Sequence, residues 1–269
     1  MKFSYSAIWD DAVGLLRANA TLLLAVAGVF LFLPALVVAY LLPMAEVEPS
    51  RMVAAIQAYY AANWHWLLLA NLINMVGAVA MLHMLLGPDG RTVGGSIAAS
   101  FGLLPTYIGA SLLSGLAMGL AIIVLLVPLI VLLGATAVTT GPASALIILV
   151  AIVPAAYIFG RLLVVGPAIV AERELNPVRA LARSAALTRK RGWAVLGLVL
   201  LVFLAGAVVT MALSYVVGAI FLLLAGQKVG GLLVLLLKAL LGAIVSTILT
   251  AMIAAIYRRL TTAAPTSGA

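Results

Sequence analysis

The sequence predicts an all-α membrane protein in which six transmembrane helices form three hairpins, each preceded by an interfacial amphipathic helix on the cytoplasmic side. Of its 269 residues, 66% are apolar and 8% are charged, whereas about a quarter of the residues in soluble domains are charged. A single soluble core of this length cannot hide so much apolar surface. Long apolar runs recur along the chain, and the period-two alternation of a membrane β-barrel is absent.

Six apolar runs are long enough to cross a bilayer, since a transmembrane helix needs about 20 residues. Short segments that carry most of the charged residues separate these runs. The predicted transmembrane helices cover residues 20–42, 64–86, 106–133, 144–170, 193–217 and 231–257.

The positions of the basic residues predict that both termini are cytoplasmic, in a bacterial-type inner (plasma) membrane. With the N-terminus inside, eleven of the fifteen Lys and Arg residues fall in cytoplasmic segments, and only Arg51 and Lys228 fall outside. Such an excess marks the cytoplasmic side of membrane proteins. The remaining two, Arg161 and Lys238, lie within predicted transmembrane helices.

Three short amphipathic segments, residues 6–19, 92–104 and 176–191, precede the odd-numbered transmembrane helices. Ala12, Ser96 and Ala180 occupy similar places in them, 84 residues apart each time. The single polytopic domain, 1–260, therefore divides into the candidate repeats 6–86, 92–170 and 176–257. Duplication and convergence of similar hairpins both explain this pattern. Residues 261–269, rich in small and polar types, are predicted to be disordered.

The third amphipathic segment carries the clearest local signals. Asn176 followed by Pro177 is a strong helix start, because Asn accepts bonds from the first free N–H groups and Pro at the first position loses no needed donor. A helix in the headgroup plane is expected, with its basic side toward lipid phosphate. One predicted face carries Val178, Leu181, Ala185 and Thr188, and another carries Arg179, Arg183 and Lys190.

Residues 161–193 also carry a pattern known from a protein family. Its members have a transmembrane Arg, a Pro-containing helix end, an acidic residue and then a motif close to P-x-x-A-L-x-x-S-W-x-L-T-[RK]-G-x-x-W. The residues here in matching places are Arg161, Pro167, Glu172 (or Glu174), Pro177, Ala180, Leu181, Ser184, Leu187, Thr188 and Trp193.

This stretch resembles the membrane domain fused to some bacterial glycerophosphodiester phosphodiesterases, and the related YciC-like inner-membrane proteins. Two departures are Ala185, where Trp is usual, and the extra basic residues before Gly192. The resemblance implies a multi-helix membrane domain without a reaction of its own, because in the fused proteins the hydrolytic chemistry belongs to a separate soluble domain.

Two cations within the predicted helices are candidate site residues. A charge within the hydrocarbon costs a few kcal/mol, so Arg161 is expected to find a partner or a wet cavity. A structural ion pair with Glu172 or Asp89, or bonds to carbonyl groups loosened by Pro154 or Pro167, would satisfy it. A lipid headgroup or a substrate would also do so, and so would extension of the side chain to the interface. Lys238 is expected to extend its ammonium to the outer interface, or to line a route for substrate.

The remaining candidates are neutral. Asn71 and Asn74 share one face of the second transmembrane helix, where amides are expected to hydrogen-bond between helices. Ser184, within the basic segment, is a candidate headgroup contact.

No catalytic constellation emerges, so we expect no enzyme. The chain has no Cys, its two His residues lie far apart in sequence, and no G-x-S-x-G nucleophile motif occurs. No cofactor, metal site or nucleic-acid partner is expected. The leading prediction is a non-enzymatic inner-membrane module that engages anionic phospholipid headgroups, in envelope or lipid homeostasis or as a scaffold for a membrane-protein partner. The alternative is a transporter or flippase-like conduit for a small amphiphile, with Arg161 and Lys238 along the route.

Overall fold

The chain is helical throughout the residues that the computed structural model describes, which are 4–44, 47–87, 92–133 and 142–262, and no strand occurs within these ranges. A π-helical turn, Gly28–Phe32, joins the second and third helices into one span. The helices in chain order are α1 (Tyr5–Ala18), α2 (Ala20–Ala27), α3 (Leu33–Leu41), α4 (Met52–Leu86), α5 (Val93–Leu133), α6 (Pro142–Leu162), α7 (Val165–Glu172), α8 (Pro177–Leu187) and α9 (Gly192–Thr262).

Within those ranges, five helical stretches are long and apolar enough to cross a membrane. The prediction of an all-helical chain with several membrane-length helices is therefore confirmed. The stretches are Ala20–Leu41, Met52–Leu86, Val93–Val131, Val150–Glu172 and Gly192–Thr262.

Several boundaries differ from those predicted. α4 begins twelve residues before the predicted start at Trp64, and α5 absorbs the predicted second interfacial segment without a break. With 41 residues, α5 is about 60 Å long, twice the thickness of the hydrocarbon layer. α9 continues to Thr262, so the first two residues of the tail predicted to be disordered are helical, and residues 263–269 lie outside the described ranges.

The 71-residue helix α9 contains a reversal at Gly226, whose φ of 71° and ψ of 177° are not helical. A Cβ atom on Gly206 would lie 2.8 Å from Val245, and one on Gly218 would lie 3.2 Å from Val234. Positions equally far from Gly226 thus face each other. Residues 192–225, the first arm, and residues 227–262, the second arm, therefore run antiparallel and in contact.

The buried core lies toward one end of the bundle. It is built by the last turns of α4, by α7, and by the two ends of α9, and α1 and α8 cover it. The first half of α4, in contrast, has no buried residue. Fully buried members of this core include Ile8, Val79, Met81, Ile169, Val195 and Ile256.

An ion pair joins α1 to the end of α9 within this core region. The guanidinium of Arg259 donates to the carboxylate of Asp11. This hydrogen bond holds the pKa of Asp11 below its ordinary value of 3.8, against the opposing effect of desolvation. A lowered folded pKa stabilises the fold above the unfolded value, and that contribution is lost as the pH falls through the folded pKa.

Gly226 is the position at which a side chain should be least tolerated. We expect Gly226→Ala to destabilise the protein by about 1–3 kcal/mol, because its backbone conformation is nearly restricted to glycine. Gly197→Ala is the matched control, since a Cβ there meets nothing within 4 Å in a helical turn. Thermal unfolding in detergent measures both. An equal melting temperature for the Gly226→Ala and parent proteins would contradict the strain at the reversal.

Candidate functional site

A break between α6 and α7 exposes the carbonyl groups at the end of α6. α6 ends at Leu162, α7 begins at Val165, and Pro167 lies in the first turn of α7. Proline suits that turn because the first N–H groups of a helix have no partner within the helix. The predicted fourth transmembrane helix is therefore divided just after Arg161, and the carbonyl oxygen of Arg161 lies in the last turn of α6.

Two hydroxyl groups of the α8 segment satisfy that carbonyl. Ser184 donates to Arg161 O at 2.8 Å, and Thr188 donates to the same oxygen at 3.0 Å. Both side chains are fully buried, with 0% of their surface exposed. Ser184, predicted to contact headgroups, thus has an internal partner and no open side for a lipid phosphate.

The side chain of Arg161 in turn donates hydrogen bonds to the last turn of α8. Its Nε donates to Ala185 O at 3.2 Å and its Nη2 donates to the same oxygen at 2.5 Å. Its Nη1 donates to the Tyr157 hydroxyl at 2.9 Å. A cation is favourable at a helix C-terminus, where carbonyl groups lack partners within the helix. Each helix end therefore satisfies the other.

The expected carboxylate partners of Arg161 are engaged elsewhere or lie outside the described residues. Glu172 accepts from Arg183 Nε at 2.7 Å and from the Tyr257 hydroxyl at 2.8 Å. It therefore links α7 to α8 and to the end of α9. Asp89 lies outside the described ranges. The structure does provide a backbone carbonyl for Arg161, but it belongs to Ala185 at the end of α8 and not to a residue near Pro154 or Pro167, as the sequence predicted.

Close approach of α6 to α9 completes the junction. A Cβ atom on Gly160 would lie 2.7 Å from Gly192 O, and one on Gly192 would lie 3.0 Å from Arg161 Cδ. Glycine at both positions allows this crossing. The rings of Tyr157 and Trp193 lie 5.8 Å apart, and Trp193 is 53% exposed, as an interfacial anchor requires.

α8 has its expected start but a different buried face. Asn176 Oδ1 accepts from Val178 N at 2.9 Å and from Arg179 N at 3.3 Å, which confirms the predicted cap. The buried face carries Ala180 and Ser184, followed by Thr188 after the last turn, whereas Val178, predicted for the apolar face, is 61% exposed. Small side chains occupy the buried face because α8 packs closely against the end of α6.

The basic residues of the α8 segment lie outside that buried face. Arg179, Arg183 and Lys190 are all exposed. Arg183 keeps 45% of its side chain exposed although it pairs with Glu172, and such an exposed pair contributes about 0–1 kcal/mol. Exposed apolar side chains lie near Arg179 at the start of α8, where Leu175 is 66% and Val178 is 61% exposed.

The candidate residues Asn71 and Asn74 line a cavity of about 470 Å³ between α3, α4, α5 and α9. The expected hydrogen bond between helices is not formed by Asn74 Oδ1, which is buried and has no partner among the described residues. The hydroxyl-bearing residues Ser111, Ser246 and Thr250 also line this cavity. It is therefore a polar space among the membrane-length helices.

Lys238 lines a second and larger space, a groove of about 900 Å³ between the two arms of α9. Ser214 faces it from the first arm, and its Oγ is buried with no partner among the described residues. The groove and the asparagine cavity share Gly242 and Ser246. Arg161 and Lys238, placed along one route in the conduit hypothesis, thus have different surroundings.

The sequence contained signals for both regions that residue-by-residue reasoning missed. Thr188 was assigned to an apolar face, although Ala180, Ser184 and Thr188 recur at four-residue spacing and so share one face of a helix. The second arm of α9 has a polar or small face at the same spacing, formed by Lys238, Gly242, Ser246 and Thr250.

Comparison with known proteins adds no further assignment. No protein-family model, no curated protein and no solved structure matches this chain. The resemblance of residues 161–193 to the membrane domain of the phosphodiesterase family therefore stays a prediction. The chemistry of the two regions rests on their own contacts.

Arg161→Met should lower the melting temperature of lipid-free protein in detergent, because Ala185 O loses its charged donor. The expected loss is about 1.5–3 kcal/mol, the contribution of a hydrogen bond to a charged group. Arg161→Lys should recover only part of it, since one ammonium does not reproduce the planar fork. Arg189→Met, which removes an exposed cation of the same segment, is the control.

The same melts, repeated with phosphatidylglycerol or cardiolipin, distinguish two roles of Arg161. One is a structural clamp, meaning its hydrogen bonds to Ala185 O, and the other is binding of a lipid headgroup. Bound lipid raises stability by mass action. An equal lipid-induced shift in the parent and Arg161→Met proteins fits the clamp alone. An unchanged lipid-free melting temperature together with a lost lipid shift would contradict the clamp and assign Arg161 to the headgroup.

Proposed function

We propose that this chain is a non-enzymatic, multi-pass inner-membrane module that engages anionic phospholipid headgroups through α8. Envelope or lipid homeostasis, or a scaffold for a membrane-protein partner, is the role that this binding would serve. The family resemblance of residues 161–193 agrees with a membrane domain of this kind.

The observation that carries this proposal is the division of α8 into a locked side and a free side. Its small buried face and the Arg161 contacts hold it rigidly against the bundle. Arg179 and Lys190 are exposed, and Leu175 and Val178, near Arg179 at the start of α8, are exposed too. Cations beside apolar side chains are the composition of a helix that lies in the headgroup layer.

The proposed topology has six crossings, with both termini in the cytoplasm. The reversal at Gly226 supports it, because it converts the 71-residue α9 into two antiparallel arms. The excess of Lys and Arg in the segments assigned to the inside gives the orientation. The buried core, with α1 and α8 beside it, then lies at the cytoplasmic end. The three candidate repeats agree in one respect, since Ala12, Ser96 and Ala180 are each at most 2% exposed.

Removing three exposed cations of the α8 segment tests headgroup binding. Each cation near an anionic surface contributes about 1 kcal/mol, or about fivefold in affinity. The triple change Arg179→Gln, Arg183→Gln and Lys190→Gln should therefore sharply reduce the phosphatidylglycerol and cardiolipin that co-purify, while the amount of folded protein is kept. Native mass spectrometry after extraction in a mild detergent measures the bound lipid.

The matched control removes cations on the side assigned to the outside. Arg51→Gln together with Lys228→Gln should leave the bound anionic lipid unchanged. Parent-level lipid in the triple variant would remove the headgroup proposal, provided that both variants elute as monodisperse folded protein.

Cysteine labelling tests the topology, because the chain contains no Cys. Single changes Ser50→Cys and Gln227→Cys should react with an impermeant thiol reagent in intact cells. Gly94→Cys and Thr262→Cys should react only after the membrane is opened. All four positions are exposed, so protection reflects the membrane rather than burial. Reaction at Gly94→Cys in intact cells would reverse the orientation.

A further inference from the structure

Lys238 lies inside the lipid-embedded part of α9. Leu223 and Leu224, close to the reversal, are 84% and 83% exposed, and large apolar side chains with such exposure belong in lipid rather than water. Lys238 follows Lys228 by ten residues, which is about 15 Å along a helix axis. If the reversal lies at the outer interface, as in the proposed topology, this distance exceeds the reach of the four-carbon stem. The ammonium then lies deeper in the membrane than the predicted extension to the interface requires.

No carboxylate within the described residues balances this charge. The ion pairs found there are Arg183 with Glu172 and Arg259 with Asp11, and no acidic residue lines the groove at Lys238. An unpaired cation at the centre of a membrane helix costs about 2.5–3.5 kcal/mol or more. The groove therefore favours an anion from outside the chain.

A hydroxyl group faces the same groove from the opposite arm. The contacts of Gly218 with Val234 and of Gly206 with Val245 place Ser214 opposite Lys238 across the groove. The Ser214 hydroxyl is buried and has no partner among the described residues. A buried hydroxyl left unsatisfied costs about 1–3 kcal/mol, which an oxygen of a bound anion would recover. The ammonium and the hydroxyl together form a built head site.

The rest of the groove suits a hydrocarbon chain. Phe203, Leu222, Val234 and Leu249 line it, and its volume is about 900 Å³. Ligand sites commonly measure about 300–1,000 Å³. The groove lies between two packed helices and opens toward lipid, so a ligand can enter sideways from the bilayer and lay one chain along it.

We propose that the groove between the arms of α9 binds a single-chain anionic amphiphile, with its carboxylate or phosphate head on Lys238 and Ser214 and its acyl chain along the apolar walls. This site goes beyond the headgroup function of α8, because no residue of α8 lines it. A carboxylate and a phosphate share the chemistry that Lys238 requires, and the probes below distinguish them.

Binding of palmitate and of palmitoyl lysophosphatidylglycerol to the full chain in a neutral maltoside detergent tests the proposal. Titration followed by native mass spectrometry should give one saturable site. Lys238→Met should weaken binding at least tenfold and Ser214→Ala about fivefold. Lys238→Arg, which keeps the charge, should retain most of the affinity. Lys228→Met, which removes the lysine nearest to the reversal, should bind as the parent does.

A third titration, with palmitoyl lysophosphatidylcholine, is the decisive comparison, because this probe has the same acyl chain as the two anions but no net charge. Equal binding of lysophosphatidylcholine and the anions, or parent-level palmitate binding by Lys238→Met, would overturn the site. If the parent protein binds neither anion and is a dimer by light scattering, a second copy fills the groove and the proposal fails. Tighter binding of palmitate would identify the preferred head as a carboxylate, and tighter binding of lysophosphatidylglycerol would identify it as a phosphate.

The α8 triple variant keeps the two proposals distinguishable. It should bind palmitate as the parent does, since its changes lie outside the groove. Loss of co-purified phospholipid with normal palmitate binding supports both sites. If the triple variant keeps its co-purified phospholipid and only Lys238→Met loses palmitate binding, the α8 proposal is contradicted and the groove proposal is supported.

Discussion

The exchange of hydrogen bonds between the ends of α6 and α8 is the interaction on which the packed end of the helix bundle depends. A helix end leaves carbonyl groups without partners, and their burial without donors is costly. Here the hydroxyls of Ser184 and Thr188 satisfy Arg161 O, and the Arg161 guanidinium satisfies Ala185 O. One short helix is thereby fixed to a break in a membrane-length helix without any buried carboxylate.

The bundle has a packed end, which contains this exchange, and an open end. At the packed end, α7, α8 and the two ends of α9 meet α1, α2, α5 and the end of α4 in two neighbouring clusters of buried residues. Away from it, the helices expose most of their apolar surface, which lipid tolerates. The groove and the asparagine cavity lie away from α8, where packing is looser. Tight packing at one end and open spaces among the helices at the other are thus two sides of one asymmetry.

The two cations within the membrane-length helices show how differently such charges can be accommodated. Arg161 has a planar fork of donors, and carbonyl and phenol oxygens of its own chain meet it. Lys238 has a compact ammonium in a groove lined by hydroxyls and hydrocarbon, with no carboxylate among the lining residues. An arginine is consequently suited to closing a helix junction, whereas the lysine is left for an anion. Two cations that both lie within apolar segments of the sequence therefore have different roles.

The sequence by itself determined the membrane class, the main apolar spans and the start of α8, because apolar length and the Asn176–Pro177 cap act locally. It also singled out Arg161 and Lys238, since charges stand out in apolar runs. Only the tertiary structure decided their partners. The oxygen that binds Arg161 belongs to the backbone of Ala185, and every residue carries such a carbonyl, so no side-chain pattern marks it. The groove at Lys238 arises only when the chain reverses at Gly226 and brings together residues that the sequence keeps apart.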